Sequence, residues 1–324
     1  MPIIDPLSES SPSIPPRARK KWVSHGLSNA VVYGGLHYGA RWLPLPALNA
    51  ISLFGNSLAV GLMRKTLAGL QDNFRLALGA SPIQSRRLAR RVFFEYGRAT
   101  IDVWRLRSEA FSPQITTFDE DAALLARLRS DGKGFLLVTG HIGNWEMGAV
   151  TLRRHGIIPA VVGQPELDPH VHAMRQQLRE RLGVESIDIG SSMATAFRVR
   201  AAIEKGRAVA LLVDRAYPED RVIVPYLGRP TPFLRSPALL ARFCDCEVVS
   251  GFFLRNPDGS YRNVWGDATC ADRTLSPDQD AHRVMSRVAE ELGHVVRAHP
   301  TQWYNFYRFW DSPGEDAAGL SHLP

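Results

Sequence analysis

The stretch GFLLVTGHIGNWEMGAV, residues 134–150, decides the fold. Its first part, 134–139, is a short, unbroken apolar run. Such a run reads as a strand covered on both faces, the environment of a parallel sheet. Its second part turns at Gly140 and Gly143, where missing Cβ atoms allow a tight bend and close approach of a substrate. Asn144 suits the N-cap of a helix over 144–154. His141 therefore leaves the carboxyl end of a buried strand, and Glu146 lies in the first turn of the helix that follows.

Outward from this unit the same alternation repeats. Residues 158–163, 208–214, 222–227 and 247–254 read as further strands. Residues 169–182, 193–205, 236–243 and 277–299 read as helices between or after them. In 277–299 the side chains of Ala281, Val284, Met285, Val288, Ala289, Leu292, Val295 and Val296 fall on one face. Strand–helix alternation of this kind predicts an α/β fold with a central, mostly parallel sheet flanked by helices. In such sheets the chemistry gathers beyond the carboxyl ends of the strands. No internal repeat is present.

A carboxylate hydrogen-bonded to one imidazole nitrogen fixes the tautomer and stabilises the imidazolium. The other nitrogen is then free to take a proton from an attacking hydroxyl or amine. With His141 as that base and Glu146 as its orienting carboxylate, no nucleophilic Ser or Cys is needed. The chain has no GxSxG elbow, Walker A loop or GxGxxG turn. His170 and His172 form an HxH pair that nothing nearby completes into a metal site. The three cysteines, Cys244, Cys246 and Cys270, are too few and odd in number for a disulfide framework, which suits a reducing compartment. Cys244 and Cys246 read as buried structural thiols.

Charge divides the chain. Residues 1–110 hold 15 basic and 6 acidic side chains, and the remainder holds 24 and 26. After a Pro- and Ser-rich start, residues 22–40 and 42–63 carry no Asp, Glu, Lys or Arg. The second stretch is long enough to span a bilayer, which takes about 20 residues. Pro44, Pro46, Asn49, Gly55, Asn56 and Ser57 interrupt it, however. Both stretches read better as helices lying in a membrane interface. The pattern fits a secretory signal poorly. Residues 85–106 follow as a basic amphipathic helix with Arg86, Arg87, Arg90 and Arg91 near its start, a match for an anionic lipid surface. No nucleic-acid reader motif accompanies the charge, so no nucleic-acid partner is expected.

With these residues in view, the chain resembles the lysophospholipid acyltransferase superfamily. The branch it resembles holds bacterial lipid A late acyltransferases and phosphatidylinositol mannoside acyltransferases. That branch carries an HxxxxD/E motif, here His141 to Glu146. Further blocks agree in order: Asn73-Phe74, residues 179–183, residues 210–215 with 222–230 (VIVPYLGRP), residues 237–241, and residues 299–303 followed by an aromatic run to Trp310. The resemblance covers roughly residues 25–310. It departs from the lipid A pattern at Gln164 and Arg215, where many members have Arg and Gln, and at Arg235-Ser236, where members often have Thr-Gly.

The resemblance implies transfer of a fatty acyl group from a thioester, on acyl carrier protein or coenzyme A, to a hydroxyl or amine of a lipid or glycolipid. No cofactor or metal is implied. Backbone amides near Gly143 and Asn144, or a nearby Arg, would meet the oxyanion. Arg179, Arg181, Arg215 and Arg235 would hold a phosphate of either substrate, and Asp214 at a strand end would orient one of these groups. The expected organisation is a tail over 1–21, a helical membrane-associating region over 22–115, a catalytic domain over 116–312 and a tail over 313–324. The expected location is the cytoplasmic face of a bacterial inner membrane, peripheral or single-span, with an acidic acyl carrier protein drawn to the basic front. A thioesterase or lipid hydrolase using the same His141/Glu146 pair, and a non-catalytic lipid-binding protein, are the alternatives.

Overall fold

A strand with no polar face must be covered on both sides, and residues 135–139 sit at the centre of the sheet for that reason. The computed structural model describes residue 39 and residues 43–108, 111–164, 168–190 and 192–310. The expected terminal tails and most of the first uncharged stretch lie outside these residues. Strands β1 (Ile115–Thr116), β2 (Phe135–Thr139), β3 (Pro159–Gly163), β4 (Glu185–Asp188), β5 (Ala208–Leu212), β8 (Val248–Arg255) and β9 (Tyr261–Trp265) form one sheet. Its order is β1-β9-β8-β2-β5-β3-β4. β2 pairs in parallel with β5, from Phe135 opposite Ala208 to Thr139 opposite Leu212, and in parallel with β8. β3 pairs in parallel with β4 and β5, while β8 and β9 run antiparallel. β6 (Val222–Tyr226) and β7 (Arg229–Phe233) form a separate antiparallel hairpin.

Helices cover this sheet: α4 (Asp119–Ser130), α5 (Glu146–Arg154), α6 (Pro169–Arg181), α7 (Ser192–Glu204), α8 (Ser236–Cys244) and α9 (Pro277–Ala298). The α/β fold with a mostly parallel sheet is thus as the patterning predicts. α9 starts with a capping box between Ser276 and Gln279, and its apolar face, from Ala281 to Val296, is buried. β1, β4, β7, β9 and α4 were not expected. Sequences such as ESID in β4 and RPTPF in β7 are short and polar, or break the strand pattern with Pro.

The uncharged stretch becomes α1 (Leu45–Leu62), followed by α2 (Arg64–Leu78) and α3 (Pro82–Arg105). Pro44 and Pro46 do not break α1, because the first helical N–H groups have no intrahelical acceptor to lose. Leu48, Asn56 and Ala59 of α1 are buried, whereas Ile51, Leu53, Phe54, Leu58 and Leu62 are exposed, Phe54 at 74%. α1 meets α3 where a Cβ on Gly97 would lie 2.2 Å from Asn56 Nδ2 and 2.6 Å from Ser52 Oγ, so a larger residue there would have to displace both side chains. Beyond α9, a short 3₁₀ turn (Pro300–Gln302) leads into an aromatic run, residues 303–310, which returns to the N-terminal helices. Buried Asn73 of α2 clamps it: its amide donates to the carbonyls of Asn305 and Tyr307 and its Oδ1 accepts from the Phe309 amide. Leu70, Phe74, Phe93, Trp303, Phe306 and Phe309 share one apolar cluster with the sheet strands.

Candidate active site

The carboxyl end of β2 delivers His141 into a site assembled from three segments. The His141 amide donates to both carboxylate oxygens of Asp214, at 3.1 and 3.0 Å. Nδ1 of the ring lies 2.6 Å from Asp214 Oδ1. Asp214 is itself 1% exposed and stands just beyond β5, the strand beside β2. Parallel pairing therefore brings two strand ends, 73 residues apart, to one point. Gly140 fits here because any Cβ would press on Leu292 of α9 at 2.8 Å.

The third segment is the aromatic run. Tyr304 N donates to His141 O at 2.7 Å, Gly143 N donates to Gln302 O at 2.9 Å, and Ile142 bridges Trp303. Asn305, fully buried, donates from Nδ2 to Asp214 Oδ2 at 3.1 Å. Its Oδ1 accepts from Arg215 Nε at 3.1 Å, and Arg215 Nη2 donates to Tyr304 O at 3.0 Å. The Arg215 guanidinium lies 5.4 Å from the Tyr307 ring centre.

Electrostatics follow from this packing. Burial would push the Asp214 carboxyl up, but the His141 ring and the Arg215 charge outweigh it and hold the group well below the usual carboxylate range. Burial, seconded by Arg215, lowers the His141 ring from its ordinary value of 6.5, with Asp214 opposing. At neutral pH the pair is a neutral imidazole on an ionised carboxylate. The His141 side chain remains 19% exposed, and among the described residues Nε2 has no partner. The ring stands edge-on to Trp145, 5.6 Å between centres.

Beyond Trp145 a narrow slot opens between α3, the start of α5 and α6. Tyr96, Val103, Trp104 and Leu178 give it apolar walls, and Glu146, Arg175 and Arg179 give it a charged flank. A larger hollow, about 240 Å³ around Lys133, Cys246 and Cys270, lies at the opposite end of β2 and away from His141.

The sequence expectations meet this geometry unevenly. Asp214, expected as an orienting carboxylate, is the one on the His141 ring. Glu146 lies in the first turn of its helix as expected, but its ion-pair partner is Arg179, 3.7 Å away, and it makes no hydrogen bond to His141. Asn144 is not the N-cap, which is Trp145; its side chain instead donates to Ala99 O and to Tyr261 Oη. The Gly143 and Asn144 amides cannot meet an oxyanion, because Gln302 O and Phe253 O already accept from them, the second at 2.7 Å. Arg235 pairs with Asp278 at 3.0 Å, and Arg181 is exposed at the end of α6. Asn305 was missed altogether. An asparagine inside an aromatic run carries no spacing signal, since its contacts to Asp214 and Arg215 span about ninety residues of chain.

Comparison with known proteins adds an independent finding. A family model described as bacterial lipid A biosynthesis acyltransferase matches residues 20–312. The chain is 26% identical over 226 residues to a phosphatidylinositol mannoside acyltransferase of Mycobacterium tuberculosis (strain CDC 1551 / Oshkosh), covering 66% of this chain and 67% of that protein. It is 23% identical over 298 residues to a phosphatidylinositol mannoside acyltransferase of Mycolicibacterium smegmatis, covering 88% and 95%.

Proposed function

The chain belongs to the bacterial lipid A biosynthesis acyltransferase family, and we propose that it carries a fatty acyl group from a thioester to a hydroxyl of an anionic glycolipid, with His141 as general base. The observation that carries this reading is the 2.6 Å contact between His141 Nδ1 and buried, ionised Asp214, which leaves Nε2 unpartnered among the described residues and the ring reachable from solvent. Nε2 accepts the proton of the acceptor hydroxyl as its oxygen attacks the thioester carbonyl. The C–O bond forms, and the tetrahedral oxyanion then collapses. The C–S bond breaks, and the departing thiolate takes the proton back from the imidazolium. Products are the acylated lipid and a free thiol, and His141 is restored.

Two catalytic needs remain, and neighbouring groups suit them. The Trp145 and Glu146 amides open α5 and have no acceptor among the described residues, so the positive end of that helix suits the oxyanion. The slot beyond Trp145 suits the acyl chain. Arg179, fixed by Glu146 and with its buried Nε unpaired, suits an anionic headgroup or the phosphate of the donor. Such a device works on an acyl carrier protein or a coenzyme A thioester alike.

The protein works at a membrane surface in this reading. α1 is apolar and long enough to cross a bilayer, with a mean hydropathy of 1.4. In this reading it lies along the interface with its apolar outer face open, since Asn56 Nδ2 donates to Ser52 Oγ within α1 and both side chains pack against Gly97 of α3. Arg86, Arg87, Arg90 and Arg91 of that helix are exposed for anionic lipid on the cytoplasmic side. The decisive assay supplies a long-chain acyl thioester with and without glycolipid acceptor. The expected result is acceptor-dependent thiol release with acylated lipid as product. Acceptor-independent release of free fatty acid as the main product overturns transfer in favour of hydrolysis.

A further inference from the structure

The loop that carries Asp214 also carries a cation, Arg215, directly beside the carboxylate that the base depends on. A guanidinium so placed has an obvious alternative partner. Paired to Asp214 Oδ2, it would share the negative charge that His141 needs when it becomes an imidazolium, and would draw the carboxylate off the ring. The structure prevents that pairing with one side chain. Asn305 stands between the two, offering its N–H to Asp214 Oδ2 and its carbonyl oxygen to Arg215 Nε, both at 3.1 Å. The orientation follows from the partners, because a carboxylate can only accept from the amide N–H and a guanidinium can only donate to its oxygen. Asn305 is 0% exposed, and its own backbone carbonyl is held by Asn73.

We propose that Asn305 is a positioning residue that insulates Asp214 from Arg215, and that it thereby sets the proton affinity of His141. This rests on the reading of His141 as the general base. The insulated arrangement keeps Asp214 aligned on Nδ1 while Arg215 is parked on Tyr304 O and the Tyr307 ring. The other titratable groups around the pair are Tyr304 and Tyr307 of the same run, Tyr226 of β6 and, behind it, Arg297 of α9. Burial raises all three tyrosines, so they stay neutral where the enzyme is assayed, and Arg215 is the charge nearest the pair that Asn305 governs.

The test reads the acid limb of the pH profile of kcat/KM, with a long-chain acyl-coenzyme A and anionic glycolipid vesicles. Asn305→Asp is isosteric and adds an anion, and should raise the acid limb by about one pH unit. Asn305→Leu removes the insulator, and should lower the limb and reduce kcat at least about tenfold, with KM changed less than about twofold. Placed in an Arg215→Met background, Asn305→Leu should cost much less, because the cation it shields is gone. If Asn305→Leu fails to fold, Asn305→Asp and Arg215→Met still decide. An acid limb unmoved in both overturns the proposal, as do additive effects of the Leu and Met changes. Failure of the underlying reading shows differently: His141→Ala would then retain activity, whatever Asn305 does.

Discussion

His141 has two ring nitrogens with different neighbours, and the chemistry follows from that asymmetry. Asp214 on Nδ1 fixes the proton there, so Nε2 is the basic atom. Asp214→Asn should lower kcat by about 10³–10⁴ with the fold intact, as expected when an imidazole loses its correct tautomer and the charge that stabilises its cation. Only the neutral ring accepts a proton, and its pKa is depressed by burial and Arg215. Activity should therefore be flat at neutral pH and fall only below the ordinary imidazole value of 6.5. Arg215→Met removes part of the depression, so the acid limb should move upward. At this scale the sequence pointed to His141 and to Asp214 as a strand-end carboxylate. It paired His141 with Glu146 because those two are close in the chain. The carboxylate that the ring meets, Asp214, is brought in by sheet register, which local spacing does not encode.

The turn between β2 and α5 shows how an element constrains its residues. Gly143 has φ of +64°, and a Cβ there would lie 2.2 Å from Phe253 O. Gly143→Ala should destabilise the fold by at least about 2 kcal/mol, measured by urea unfolding, because strain and overlap add. Helix α1 makes a separate prediction. Its outer face, Ile51, Leu53, Phe54, Leu58 and Leu62, is open apolar surface on a stable helix–helix seam. Phe54→Glu with Leu58→Glu should leave the melting temperature within about 2 °C, since exposed sites contribute little to folding. It should reduce co-flotation with anionic vesicles at least about tenfold, given about 2 kcal/mol per buried large apolar side chain. Undiminished flotation rejects α1 as the docking face. The helix was legible as an uncharged run; its position against α3 was not, because Gly97 matters only once two helices cross at it.

Across the whole molecule, the aromatic run over 303–310 is locked to α2. Asn73 donates two hydrogen bonds to, and accepts one from, the backbone of a run more than 230 residues later, and that run with the preceding Gln302 holds the His141 turn and Asp214 through Tyr304 and Asn305. Asn73→Leu leaves buried backbone groups unsatisfied and should destabilise by about 2–4 kcal/mol. Activity should decline in step with stability, read from parallel unfolding and turnover measurements. Patterning alone predicted the α/β core and its parallel centre, because continuous apolar strands have only one comfortable environment. It did not predict that the aromatic tail closes the site, since aromatic residues announce burial without naming what they bury against.

The proposed acyl transfer stands or falls with His141, held by Asp214, as its base. The most direct measurement is kcat of wild type, His141→Ala and Asp214→Asn with an acyl thioester and a glycolipid acceptor. Wild type should yield acylated lipid, His141→Ala no measurable turnover, and Asp214→Asn a loss of about 10³–10⁴. Turnover near the wild-type rate in a folded Asp214→Asn protein, or in His141→Ala, would contradict it.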